Sequence, residues 1–333
     1  TFFLELLCMS RFPLVASLLI VVFSSCTTIQ TMCYERLCPA DVVFVEQIRK
    51  VGVVNNTPAV QQDYEQVDYA SASLEGDGAV TVEALAQEVA SAEYFDEVVV
   101  YDKQFRRSSY PLDQPIPKAT VDELLHLLDV DMLLSMERVN VVLKDTSMII
   151  PEVFVKVPAV EGAVTSVVRA YLQQRKEPLF TIQTTDTLCW EVTSDLTYGD
   201  VIKDVSEYAA KQPMKKLLPY WMEVQRNYFD GGGTEMRDAG VYVREQNWEE
   251  AALLWKQVLE KKKGKHRMRA AYNLALYSEM CDDFESALGY LDMAASCVEN
   301  ESFEGQLIEI YRMQLNALSD KKQILKLQMK RFD

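Results

Sequence analysis

Few residues in this chain have the type and spacing that enzyme chemistry requires. The 333 residues include only two histidines, His126 and His266. Motifs such as His-Glu-x-x-His, Gly-x-Ser-x-Gly and the phosphate-binding P-loop do not occur. Asn55, Asn56 and Asp102 follow two short β-branched runs, and polar residues at the carboxyl ends of parallel strands can form a ligand site. The sequence therefore predicts no catalytic residue, no metal and no cofactor, with a site near these three residues as an alternative.

One of the seven cysteines, Cys26, follows a segment with the layout of a secretory signal. Arg11 supplies a positive charge after Met9, and an apolar run continues from Phe12 to Phe23. That run is too short to span a bilayer, which takes about 20 apolar residues. We expect residues 1–25 to be a removed signal peptide, with residues 1–8 upstream of the true start at Met9.

The residues Phe23-Ser24-Ser25-Cys26 resemble the lipobox of bacterial lipoproteins, although Phe23 departs from the usual Leu or Val. The resemblance implies that Cys26 is lipidated and becomes the new N-terminus. In that family's sorting rule, an Asp directly after the lipidated Cys keeps the lipoprotein in the inner membrane. This chain has Thr27 at that position, which implies that the protein is on the periplasmic side of the outer membrane. A different cleaved signal and an uncleaved membrane anchor remain alternatives. Residues 26–40 would then be a tether, in which Cys33 and Cys38 could form a local disulfide.

Six segments have the composition of β-strands. The first four are Arg49–Val54, Val98–Tyr101, Met132–Leu143 and Val153–Val157. The other two, Ala163–Gln173 and Leu179–Trp190, flank a short turn and predict an antiparallel hairpin.

Helical patterns lie between and after these strands. Apolar residues between Val82 and Ala90 follow helical spacing. Thr120 and Glu123 form a capping-box pattern that predicts the start of a second helix. We expect Asp200–Tyr228 to be helical, with prolines kinking it. Alternating strands and helices predict a mixed, mainly parallel sheet, and we assign residues 41–230 to this α/β domain.

An internal repeat follows the flexible segment Gly231–Gly233. Residues 239–255 align with residues 275–291, with small residues at matching positions (Ala239 and Ala275, Ala251 and Ala287). The pattern resembles the tetratricopeptide (TPR) repeat, in which small residues let paired helices approach. Phe303–Leu318 and Lys321–Met329 would be a closing helix pair. Residues 231–333 are therefore predicted to be an all-α, TPR-like domain.

The whole chain also resembles a family of bacterial envelope lipoproteins with a lipobox, an α/β domain and a TPR tail. Leu217–Tyr228 and Tyr272–Ala275 carry this resemblance. The order of elements and Leu127–Leu134 resemble α/β domains of the curli-secretion lipoprotein and of penicillin-binding-protein activator lipoproteins. These resemblances imply an architecture but no activity.

The net charge of −16 makes general nucleic-acid binding a poor candidate, because phosphate contacts need a surplus of Lys and Arg. The basic run Lys261–Arg269 is either a solvated loop or a contact for anionic lipid headgroups or an acidic partner. We predict a non-catalytic scaffold, anchored to the membrane by lipid, that binds an envelope protein or peptide through its TPR-like repeats. The predicted partner-binding groove contains Arg244, Tyr272, Leu276 and Glu279. The alternative is an enzyme or small-ligand-binding protein with its site in the α/β domain.

Overall fold

The computed structural model describes residues 29–58, 73–101, 103, 104, 106 and 114–332. Cys26, the predicted signal peptide and Asp102 lie outside the described residues. The described chain divides into two compact units. We call Leu37–Trp221 with residues 324–332 the sheet unit, and residues 29–36 with Met222–Gln323 the helical unit. A mixed α/β unit and a unit of several helices are therefore present, but each contains residues from both ends of the chain.

The sheet unit is built on a six-stranded mixed sheet. Its strands are β2 (Lys50–Asn55), β3 (Ser73–Glu75), β4 (Glu97–Tyr101), β5 (Met132–Ile150), β6 (Val155–Leu172) and β7 (Phe180–Glu191). The order is β4-β2-β5-β6-β7, and β3 pairs with β5. Strand β2 runs parallel to β4 and β5, whereas the β3–β5, β5–β6 and β6–β7 ladders are antiparallel. The predicted β6–β7 hairpin is confirmed, but the expectation of a mainly parallel sheet is wrong.

Helices cover both faces of this sheet. They are α1 (Gly78–Ser91), α2 (Lys118–Leu128), α3 (Tyr198–Lys211) and the single turn α4 (Met214–Leu217). Helices α1 and α3 pack in the larger apolar core, which contains Val53 and Leu134. Helix α2 packs in a smaller core with Val54 and Leu133. Neighbouring residues of one strand therefore enter opposite cores, as the two-residue period of a strand requires.

One predicted helix start and one predicted helix end in this unit are wrong. Helix α2 starts two residues before Thr120, with Pro117 at its N-cap and no side-chain capping bond. A capping box occurs instead at Thr197, which begins α3. The helix predicted to reach Tyr228 ends at Lys211, just before Pro213, which has no N–H to continue the helical bonding. The turn α4 then ends where Leu218 is extended before Pro219, and the following segment forms strand β8 (Tyr220–Phe229).

The helical unit contains two helix hairpins that repeat at an offset of 36 residues. Helices α5 (Thr234–Arg244) and α6 (Trp248–Lys261) form the first, and α7 (Gly264–Met280) and α8 (Phe284–Ala295) form the second. Gln246 and Asp282 have positive φ angles in the two turns. Asn247 and Asp283 then cap α6 and α8 by accepting a hydrogen bond from the amide three residues later. The small residues of the repeat, including Ala251 and Ala287, are fully buried.

A pair of strands and a long helix complete this part of the chain. Strand β1 (Ile29–Cys38) pairs with β8, although sequence placed it in a tether. Helix α9 (Phe303–Met329) is continuous where two helices were predicted, because no Gly or Pro interrupts Ser319–Lys322. A 3-10 helix (Lys330–Phe332) follows. Within the described residues, none of the helices combines the length and apolarity needed to cross a bilayer.

The described cysteines are free thiols. Cys33 and Cys38 lie five residues apart on strand β1, so about 16 Å separates their Cα atoms. Because a disulfide needs Cα atoms within about 7 Å, the local disulfide considered from sequence does not form in this conformation.

Candidate functional site

A cleft of about 460 Å³ opens at the carboxyl end of β2, in the sheet unit. We call it the polar cleft. It is lined by the end of β2, the turn from β3 into α1, the first turn of α3 and Gln104. The lining includes Gly78 and the polar residues Asn55, Thr57, Glu75, Asp77 and Lys203. The parallel arrangement of β2, β4 and β5 makes this the edge at which open α/β sheets bind ligands.

Asn55 is the buried polar residue of this cleft. Its side chain is only 4% exposed. Its Oδ1 accepts hydrogen bonds from the Thr57 amide at 3.1 Å and the Thr57 hydroxyl at 2.8 Å, which holds the backbone in a tight turn. Its Nδ2 donates to no residue in the described part of the chain. Because Asn55 lines the cleft, this N–H is a donor that an acceptor group of a ligand could bind.

Gly78 lets helix α1 start directly against this turn. A Cβ atom at residue 78 would overlap the Thr57 hydroxyl and come within 2.8 Å of Asn55 Oδ1. Only glycine leaves room for the two side chains here. Close packing of Gly78 against Asn55 and Thr57 therefore fixes both polar side chains at the cleft.

Asp77 occupies the N-cap of α1. Its Oδ1 accepts from the Ala79 amide at 2.8 Å and the Val80 amide at 3.2 Å. The first-turn amides of α1 are thus already bonded within the protein, and the cleft presents carboxylate oxygens at this end of the helix.

Glu75 is the second carboxylate of the cleft. It lies 3.6 Å from Arg138, and its Oε2 is buried without a hydrogen-bond partner in the described residues. Burial raises the pKa of Glu75, and Arg138 opposes that shift. The described lining of the cleft therefore contains two carboxylates, Glu75 and Asp77, and one cation, Lys203.

Asn56 belongs to a second group of buried polar side chains beside the polar cleft. Its Nδ2 donates to Glu137 Oε2 at 2.6 Å, and the Tyr171 hydroxyl donates to Glu137 Oε1 at 3.0 Å. Arg169 approaches the same carboxylate at 3.8 Å. Burial raises the pKa of Glu137, whereas Arg169, Asn56 and Tyr171 act in the opposite direction. Glu137 is 1% exposed, so this network is buried, and its hydrogen bond to Nδ2 fixes the position of Asn56.

The backbone geometry of β5 explains how Glu137 reaches Asn56. The register between β5 and β6 shifts between Met136 and Arg138, which leaves Glu137 as an extra residue in β5. Such a bulge redirects one side chain, and bulges are common beside functional sites. Asn56 also lines a smaller cavity of about 190 Å³ with Arg106, which donates to the Asn56 carbonyl at 2.9 Å.

The structure places the predicted groove residues of the helical unit mainly in its interior. Tyr272, Leu276 and Glu279 are each at most 2% exposed, whereas Arg244 is exposed and lies 3.9 Å from Asp230. Three of the four residues therefore cannot line an open groove in this conformation.

Elements of the same unit cover that face. Arg226 of β8 donates to both carboxylate oxygens of Glu279, at 2.9 and 2.8 Å, and the Tyr311 hydroxyl of α9 donates at 2.6 Å. Tyr272 packs against Phe229 with ring centroids 5.3 Å apart. Sequence reasoning missed this because it assigned residues 220–228 to a helix and not to a strand.

Asn55 and Asn56 lie at the carboxyl end of β2, where the alternative prediction placed a site. Glu137 was missed, and its signal was a charged residue inside the apolar run Met132–Leu143. The described residues contain no group of three or more His, Cys, Asp or Glu side chains placed to hold a metal ion.

Comparisons with solved structures give weak likenesses. Two structures of the PelC dodecamer from Paraburkholderia phytofirmans, the second of them a variant with a single substitution, align with TM-scores of 0.27 and 0.26 and identities of 12% and 11%. The alignments cover 57% and 56% of this chain and 99% and 100% of those chains. TM-scores this low do not establish a shared fold. No curated protein matches the chain.

Two family models match the chain. Residues 237–317 match a domain of unknown function (DUF6340). Residues 48–229 match another domain of unknown function (DUF8603), and this match covers more than half of the chain. The chain therefore belongs to the DUF8603 family.

Proposed function

We propose that this protein is a lipid-anchored envelope protein whose sheet unit binds a small polar molecule in the polar cleft without catalysing a reaction. One observation carries the proposal: the Asn55 side chain is almost fully buried, lines the cleft, and has an Nδ2 donor with no acceptor in the described residues. The cleft volume of about 460 Å³ lies in the range of small-molecule sites.

The lining residues favour a neutral ligand that carries both hydrogen-bond acceptors and donors. Asn55 Nδ2 needs an acceptor such as a carbonyl or hydroxyl oxygen. The carboxylates of Glu75 and Asp77 would accept from hydroxyl groups of the ligand and would repel an anion. A small sugar, whose hydroxyls both donate and accept, has this chemistry.

Saturation-transfer NMR with glucose and N-acetylglucosamine as probes tests the proposal. Asn55→Asp keeps the oxygen that bonds to Thr57 and replaces only the free N–H donor with a second oxygen. We expect this variant to weaken sugar binding about tenfold or more, because an unpaired buried polar group opposes binding. Asn300→Asp, at an exposed position, adds the same charge as a control. The proposal fails if neither sugar binds or if both variants bind like the wild type.

The lipid anchor is a proposal from sequence alone. It assigns lipidation to Cys26 and places the protein on the periplasmic side of the outer membrane. Mass spectrometry of the mature N-terminus tests it: we expect an acylated Cys26 as the first residue, and release from the membrane in Cys26→Ala. A mature chain that begins at another residue would contradict the proposed lipid anchor, but it would not affect the proposal that the polar cleft binds a ligand.

A second proposed function is a non-catalytic scaffold in the helical unit. We propose that the two repeated hairpins are TPR-like. Apolar side chains on α9 favour a partner helix: Phe303, Ile310 and Met313 are 65%, 50% and 64% exposed, and their spacing of seven and three residues places them on one helix face. Met313→Lys is expected to abolish recovery of a cross-linked envelope partner, whereas the neighbouring exposed variant Gln314→Lys retains it. Equal recovery would refute the scaffold.

A further inference from the structure

A second hollow of the sheet unit has the opposite electrostatic character to the polar cleft. It encloses about 400 Å³ and shares no lining residue with that cleft among the residues that the structure describes. We call it the basic pocket. Strand β7, the end of α3 and the turn α4 line it, and its charged lining residues are Asp186, Lys211, Lys215 and Lys216.

The local fold brings the three lysines together. Helix α3 ends at Lys211, Pro213 starts a new turn, and the one-turn helix α4 carries Lys215 and Lys216. Lys216 Nζ donates to the Gln183 carbonyl of strand β7 at 3.3 Å, which directs its ammonium group to the pocket wall. Lys215 lies 5.6 Å from the centre of the Tyr220 ring.

The carboxylates near the pocket leave two of these cations without an ion pair. Lys211 lies 3.9 Å from Glu88. Asp186, the one carboxylate in the described lining, accepts from the Tyr208 hydroxyl and from the Thr187 amide at 2.8 Å. Lys215 and Lys216 have no carboxylate within 4 Å among the residues that the structure describes. Two such cations side by side are notable in a chain with 50 acidic and 34 basic residues.

Neutral polar side chains form part of the pocket wall. Thr184, Ser166 and Gln212 bond to one another, with the Thr184 and Ser166 hydroxyl oxygens 2.7 Å apart and Gln212 Oε1 3.1 Å from Thr184 Oγ1. The Thr184 side chain and the Gln212 side chain are therefore held in place. The neighbouring Thr185 side chain lies on the other face of β7, where its hydroxyl bonds to Thr165 at 3.0 Å.

We propose that the basic pocket binds a phosphate-bearing anion through Lys215 and Lys216, with Lys211 as an additional cation. Lysine ammonium groups are common phosphate ligands, and a hollow of about 400 Å³ has room for a phosphate group and part of the molecule that carries it. The phosphate belongs either to a soluble molecule or to a lipid headgroup, and both share this chemistry.

The test uses the full chain and two probes. Inorganic pyrophosphate, measured by calorimetry, represents the soluble source. Vesicles of phosphatidylcholine with and without phosphatidylglycerol, measured by co-sedimentation, represent the headgroup. We expect the double variant Lys215→Gln, Lys216→Gln to bind the probe about tenfold more weakly, since charge-assisted hydrogen bonds to phosphate are lost.

Lys144→Gln with Lys156→Gln is the matched control, because it removes the same charge from exposed positions of β5 and β6 that line neither the basic pocket nor the polar cleft. Loss of pyrophosphate binding in the pocket variant alone identifies a soluble ligand, and loss of vesicle binding alone identifies a headgroup. The proposal is overturned if neither probe binds, or if both double variants weaken binding equally. Asn55→Asp is expected to leave both probes unaffected, which separates this result from the fate of the polar cleft.

Discussion

Glu137 has a folding consequence that depends on pH. Burial raises its pKa above the ordinary 4.5, so just above that pH the folded chain holds a proton at Glu137 that the unfolded chain has lost. The free energy of unfolding therefore falls as the pH rises through this range. We expect Glu137→Gln to remove this contribution, so that the variant gains stability relative to wild type as the pH rises from about 4.5.

Urea unfolding between pH 4 and 8 measures this difference. Glu177→Gln, which removes an equal charge from the exposed β6–β7 turn, is the control. A difference between wild type and Glu137→Gln that stays constant over the whole range would contradict the argument.

Two glycines give opposite predictions for the same substitution. Gly78→Ala places a methyl group against Asn55 and Thr57, so we expect lower stability and lost binding in the polar cleft. Gly289 lies inside α8 with nothing within 4 Å of its added Cβ, so Gly289→Ala is expected to stabilise by about 0.5–1 kcal/mol. Thermal unfolding monitored by circular dichroism measures both changes. Stabilisation by Gly78→Ala would show that this close packing does not constrain the turn.

At the scale of elements, the side chain of one residue in α7 bonds to both backbone polar groups of the last residue of β8. Asn273 of α7 accepts from the Phe229 amide at 2.8 Å and donates to the Phe229 carbonyl at 2.7 Å, at the end of β8. Asn273→Ala leaves both buried groups unpaired, at about 1–3 kcal/mol each. We expect chemical denaturation to show this loss, with the exposed variant Gln314→Ala near wild type. A change below about 0.5 kcal/mol would mean that water replaces the amide.

The repeated turns make a second prediction at this scale. Asn247 and Asp283 cap equivalent helices with the same type of bond, so Asn247→Ala and Asp283→Ala should each cost about 1 kcal/mol. Denaturation curves of the two single variants and the double variant measure this. Strongly unequal costs would show that the two hairpins are not energetically equivalent.

Local sequence patterns predicted the elements whose partners are near in sequence. The β6–β7 hairpin and the helix-hairpin repeat were found because their signals lie within a few tens of residues. Strands β1 and β8 were missed, since each is stabilised by the other across most of the chain. The same error hid the burial of Glu279, because its partner Arg226 was assigned to a helix. Asn55 and Asn56 were found from their place after a strand, but Glu137 depends on a bulge that sequence does not reveal.

At the scale of the whole molecule, the sheet unit depends on residues from the far end of α9. Gln328 donates to the carbonyls of Ala40 and Val42, at 2.9 and 2.6 Å, and accepts from the Ala40 amide at 3.2 Å. Gln328→Ala is expected to destabilise the sheet unit by about 2–4 kcal/mol, because these bonds are lost together. Hydrogen exchange followed by mass spectrometry measures protection in each unit separately. The exposed variant Lys326→Ala is the control. Unchanged exchange in the sheet unit would refute this dependence.

The interleaving of the two units also affects how the protein is made. Residues 29–36 leave the ribosome long before Met222–Phe229, the strand partner they require. The sheet unit in turn lacks Gln328 until 288 further residues have been made after Ala40. Neither unit can be completed before α9 has been made, so strand β1 remains unpaired during that time. We therefore expect a chaperone that holds unfolded chains to assist folding of this protein. A ribosome stalled before α9 would carry a chain in which both units are incomplete.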